Sequence, residues 1–167
     1  MEKAGMNSIE VLMTIGLVYG MLKFWKWKLQ GGYDIELNNN AYGIFLGGQL
    51  LALLLIIVGS VDPQNSAYLE GLTMFGDGAL NYWTAIGVQV FGVVIIYMLS
   101  NVISHLMFNI TLKAQSSIYD EIALGNFTAA IVISILTLII GYVSSYFLLR
   151  TYLFEWVNTS AGLVPLT

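Results

Sequence analysis

Two short strings hold most of the side chains with chemical potential. "DIELNNNAYGI" runs from Asp34 to Ile44 and "EIALGNFTAAI" from Glu121 to Ile131, so their equivalent positions lie 87 residues apart. Asp34 matches Glu121, Asn39 matches Asn126, and Gly43 matches Ala130; Asp120 adds an acid beside the second string. Carboxylates and amide oxygens suit hard cations, and a ring of them at the mouth of a bundle would attract ions or a basic partner. The same residues also start helices. Ser117 stands three residues before Asp120, which is a capping signal, and Glu121 falls in the same first turn. Gly125 can end a short helix and Asn126 can cap the next. In the first string, Gly31 and Gly32 are expected to break the chain, with Asn39 or Asn40 capping the helix that follows. Both the ligand reading and the helix-start reading stay open on sequence alone.

Other chemistries find no footing. The chain has no cysteine and one histidine, His105. Thiol catalysis, disulfides and Cys-ligated metals are excluded, and a zinc site built within one chain is not expected. No nucleophile–His–acid order, zincin helix or phosphate loop is present. The net charge of −4 forms no basic patch, so a nucleic-acid partner has no support. Neither an enzyme nor a cofactor is expected.

The elements that position these strings are apolar helices. Of the 167 residues, 57% are hydrophobic and 10% charged, with a mean hydropathy of +0.78. Soluble domains carry about 25% charged residues. A crossing helix needs about 20 apolar residues, and four stretches come close to or reach that. They lie at roughly 9–27, 40–61, 83–105 and 127–149. Around the first, Lys23, Lys26 and Lys28 interleave with Phe24, Trp25 and Trp27, the mixture expected at a membrane interface. Asp62 and Pro63 stop the second. The stretch 63–80 reads as an acidic external linker and 151–167 as a tail anchored by Tyr152 and Trp156. Lys23, Lys26, Lys28 and Lys113 flank one face against Lys3 and Arg150 on the other. By the positive-inside rule, both termini are expected outside.

The expected fold class is thus an all-α membrane protein. It has four transmembrane helices as a duplicated two-helix unit, 1–62 followed by 81–150, related by an axis along the membrane normal. The acid–Ile–x–x–Gly–Asn string before the last helix, with its weaker copy before the second, resembles the uncharacterised YjfL-type family of small four-helix bacterial inner-membrane proteins. That resemblance implies an inner-membrane location and a duplicated unit, and it transfers little chemistry. The first copy departs from it, with Asn38 where the second has Gly125.

Within the spans, small residues mark helix packing, since lipid gives little hydrophobic drive between helices. Gly16 and Gly20, Gly43 and Gly47, and Ala130 and Ser134 recur at four-residue spacing, as do Gly141 and Ser145 further along the fourth span. They are expected at seams within the bundle or between protomers. Gln89, Tyr97, Ser100, Asn101 and Ser104 fall in one arc of the third span, and Gln49 adds a polar group on the second. Such residues face the bundle interior or a wet cavity. The expected function is a non-enzymatic module that oligomerises in the bilayer and docks other membrane proteins. The alternative is a small channel or permeation subunit that uses the polar face of the third span.

Overall fold

The computed structural model describes residues 2–33, 39–60, 78–112 and 117–149. Asp34, the acidic stretch 61–77, Lys113 and the tail from Arg150 onward lie outside the described residues. Every described element is helical: α1 Glu2–Tyr33, α2 Asn40–Ser60, α3 Gly78–Leu112, α4 Ile118–Ala123 and α5 Phe127–Ser144. A π-helical turn, Ser145–Leu149, extends α5. Among the described residues, three segments are long and apolar enough to cross a membrane: Asn40–Ser60, Gln89–Thr111 and Phe127–Leu148.

One boundary differs from expectation. The helix α1 does not break at Gly31–Gly32 but continues to Tyr33. Glycine inside a helix costs about 1 kcal/mol relative to alanine, and that is too little to stop a helix whose preceding turn is anchored by the buried Leu29. The third helix is much longer than one crossing. At about 1.5 Å per residue, its 35 residues span well beyond a hydrocarbon core of about 30 Å.

The core forms where α2, α3 and α5 meet, with α2 and α5 making the main contact. On α2 the inward face is Phe45, Gln49, Ala52, Leu53, Ile56 and Gly59. The spacing of three and four residues is that of one helical stripe. The opposite face, with Leu51, Leu54 and Val58, is exposed and suits lipid. Among the described side chains, α1 buries its second half. Met21, Trp25 and Leu29 are buried, while Val11, Leu12, Ile15 and Tyr19 are more than half exposed.

Trp25 is therefore not an interface anchor, because it is only 2% exposed and packs edge-on against Phe45 at 4.9 Å. Trp27, at 72% exposure, keeps the outward placement expected of both. The two tryptophans differ because two residues on a helix are about 200° apart.

The α2–α5 seam is close and parallel. A Cβ added at Gly48 would collide with the Cβ and Oγ of Ser134, and one at Gly59 with Ser145 Oγ. One at Gly141 would meet Ile56 Cδ1 at 2.6 Å. The paired positions are 48 with 134, 59 with 145 and 56 with 141, offsets of 86, 86 and 85. The chain thus packs α2 on α5 at nearly the 87-residue offset that separates the two polar strings. Small residues at such crossings let backbones approach, so van der Waals contact replaces the missing hydrophobic drive.

Candidate functional site

The second polar string folds as a short helix between two caps. Ser117 Oγ accepts from Tyr119 N at 3.1 Å, and Asp120 Oδ2 accepts from Ser117 N at 3.1 Å, a reciprocal capping box. At the other end Gly125 has φ +82°, a conformation glycine adopts without strain. Gly125 N donates to Ile122 O at 3.0 Å and Asn126 N to Glu121 O at 2.9 Å. These two bonds make a Schellman closure. Asn126 then caps α5, its Oδ1 accepting from Ala129 N at 3.1 Å, while its Nδ2 donates to Glu121 Oε2 at 2.9 Å. Both acids of this string are engaged in helix ends.

Asn39 caps α2 in the same way, Oδ1 accepting from Tyr42 N at 3.1 Å. Its amide reaches further. Nδ2 donates to Ile122 O at 2.8 Å and to Ala123 O at 3.0 Å. These are carbonyls of the last turn of α4, and that of Ile122 also accepts from Gly125 N. One side chain therefore starts α2 and finishes α4, tying the first string to the second. Asp34, the proposed partner of Glu121 in an acidic ring, is outside the described residues.

Beside this junction sits Lys28. Its Nζ donates to Tyr119 OH at 2.9 Å and lies 4.5, 5.2 and 5.9 Å from the ring centres of Tyr119, Trp25 and Phe24. Burial pushes the ammonium down from the usual lysine range, while the three ring faces and the phenol oxygen favour its charged form. The His105 ring lies 4.6 Å from the Tyr119 ring.

Deeper in the bundle the polar arc of α3 turns inward. Tyr97, Ser100, Asn101 and Ser104 are buried. Trp25 Nε1 donates to Tyr97 OH at 2.6 Å, and Tyr97 OH donates to Gln49 Oε1 at 2.9 Å. Gln49 Nε2 then points to Thr137 Oγ1 at a longer 3.5 Å. One hydrogen-bonded line thus crosses α1, α3, α2 and α5. Ser100 Oγ donates to Ile96 O at 2.7 Å and Asn101 Nδ2 to Tyr97 O at 2.9 Å. Toward the far end of α2, Gln89 Nε2 donates to Ser60 Oγ at 3.4 Å.

A protein-family model, Domain of Unknown Function (DUF350), matches residues 9–148. The chain belongs to the DUF350 family. No curated protein and no solved structure matches it. The matched region of this DUF350 chain covers α2 to α5, most of α1 and both polar strings.

The small residues separate into two groups. Ala130 and Ser134 are buried at the α2–α5 seam. At Gly16, Gly20, Gly43 and Gly47 a Cβ would meet nothing within 4 Å, so none of the four lies at a close helix contact among the described residues. The seam uses Gly48, Gly59 and Gly141 in their place.

Sequence reasoning marked Gly141 and Ser145 as seam residues but passed over Gly48 and Gly59, and also Trp25, Lys28, Tyr119 and Thr137 as members of the polar line or the ring cluster. Gly48 and Gly59 are 11 residues apart, three helical turns, and that spacing was the available signal. Trp25 and Lys28, three apart on one face, were another. No group of three His, Cys, Asp or Glu side chains that could hold a metal ion occurs among the described residues.

Proposed function

We propose that this DUF350 chain is a non-enzymatic, multi-pass protein of the bacterial inner membrane. It assembles side by side with its own copies and with other membrane proteins. The carrying observation is the fate of the glycines. Those that bring α2 and α5 together are filled by a neighbour, and Gly16, Gly20, Gly43 and Gly47 face outward with open space. A glycine in a helix costs about 1 kcal/mol relative to alanine, and close approach by another helix is what offsets that cost in lipid. The buried polar groups hold the bundle together, which leaves the outer glycine faces to meet partners.

α1 serves as a fourth crossing, its exposed apolar half in lipid, and both termini lie outside. The YjfL-type identity and the duplicated two-helix unit belong to the same reading. The matching caps at Asn39 and Asn126 and the seam offsets of 85 and 86 support the duplication. The test is the particle mass in nanodiscs or mild detergent. A dimer or larger species is expected, reduced to a monomer by Gly43→Leu with Gly47→Leu. A native chain that stays monomeric, with no copurifying membrane protein, overturns the proposal. Ion flux through liposomes carrying the native chain would favour the permeation alternative.

A further inference from the structure

Three atoms on one turn of α3 stand apart from the polar line. Asn101 Oδ1, Ser104 Oγ and His105 Nε2 are buried with no hydrogen-bond partner among the described residues. Asn101 is 6% exposed and Ser104 0%. Residues three and four apart share a helical face, so the three atoms lie along one side of α3. The Asn101 amide is oriented by its Nδ2 bond to Tyr97 O, and a flip would set two oxygens against each other. Its Oδ1 therefore needs a donor. The Ser104 hydroxyl both donates and accepts, and His105 Nε2 does either according to tautomer.

A guest at this turn must supply a donor to Asn101 and pair with a hydroxyl and an imidazole. The Asn101 oxygen disfavours an anion. A cation is disfavoured by the Lys28 ammonium, which is bonded to the same Tyr119 that His105 stacks against. Water meets every requirement, and buried waters make about three hydrogen bonds each.

We propose that water occupies this turn, and that the Tyr119 end of the bundle is a hydrated half-channel closed at its inner end. The wet segment runs from Tyr119 past His105, Ser104 and Asn101 to the Tyr97–Gln49 bond. Beyond that bond the buried side chains between α2 and α3 are apolar as far as the Ser60–Gln89 bond, apart from the Ser100 hydroxyl, which is bonded to its own helix at Ile96 O. The antiparallel register is set by Gln49 with Tyr97 and by Ser60 with Gln89. Between those pairs stand Leu53 and Ile56 on α2 and Val93 and Ile96 on α3, all buried in the apolar core. Hydrophobic layers of this kind exclude water and close a pathway. The inference is independent of whether the chain oligomerises.

The native chain supplies its own probe, because His105 is its only histidine. With ¹⁵N-histidine in proteoliposomes, solid-state NMR should show a water cross-peak to the single imidazole and exchange with D₂O within minutes. An imidazole without a water cross-peak overturns the hydration. The closed end is tested in the naturally cysteine-free background with Ag⁺, which reacts with thiolates formed in contact with water. Ser104→Cys should be blocked at least 100-fold faster than Val93→Cys. Equal rates at the two positions overturn the half-channel.

Discussion

The adjacent glycines 47 and 48 of α2 show how differently its two faces are used. A side chain at Gly48 would strike Ser134, whereas one at Gly47 would meet nothing within 4 Å. The two positions are about 100° apart on the helix. The inner face is fixed by backbone approach, and the outer face is available. Small residues in a membrane helix thus carry two meanings that local spacing does not separate.

The largest expected effect tests the inner face. Gly48→Leu should destabilise the fold by about 3 kcal/mol or more, since overpacking a tight site costs about 1–3 kcal/mol and occasionally more and the obstacle here is the Cβ of a buried serine. Unfolding in an SDS titration, followed by tryptophan fluorescence, measures it. Gly47→Leu should leave that midpoint within about 0.5 kcal/mol, the range of surface changes. Equal losses at both positions would erase the distinction.

Tyr97→Phe comes next. It removes the hydroxyl that accepts from Trp25 and donates to Gln49. Leaving buried partners unpaired costs about 1–3 kcal/mol, although interhelical bonds in membranes average nearer 0.6 kcal/mol. A loss of about 1–2 kcal/mol is expected, with a change in Trp25 emission as the spectroscopic sign.

The two asparagines extend the contrast to the helix ends. Each caps a helix with the same 3.1 Å bond, and replacing such a cap by alanine costs about 1 kcal/mol. Asn39 also holds two carbonyls of α4, whereas the Asn126 amide bonds the exposed Glu121–Asn126 pair. Asn39→Ala should therefore cost more than Asn126→Ala, by about 1 kcal/mol, the usual net worth of a hydrogen bond. Hydrogen exchange at the end of α4 should rise for Asn39→Ala and stay unchanged for Asn126→Ala. The smallest effect belongs to Gly43→Ala, which should raise helix stability by less than about 1 kcal/mol. A clear loss of particle mass without loss of fold would mark that face as a contact between copies.

Much of the local design is legible in the sequence. The caps at Ser117 and Asn126 and the glycine at 125 follow from residue types at fixed offsets. The polar arc of α3 follows from helical period alone, and its inward direction follows from the cost of polar groups in lipid. The α2 side of the glycine seam was not legible, because Gly43–Gly47 and Gly48–Gly59 are equally regular as patterns, whereas Gly141 and Ser145 on the α5 side were. Lys28 read as a snorkelling cation and Trp25 as an anchor, because nothing local places the α4 tyrosine, 91 positions after Lys28, against them.

By itself, then, the sequence determined that this chain makes long apolar helices, where most of them start, and which arc of the third carries polarity. Those properties depend on contacts within about four residues and on the free energy of transfer to lipid. Only the tertiary structure decided which glycines are filled, which asparagine joins two helices, and that Trp25, Tyr97 and Gln49 form one line. Each of these depends on the rotation of one helix against another. In lipid that rotation is set by the sum of many small packing contacts rather than by the hydrophobic pattern of either helix.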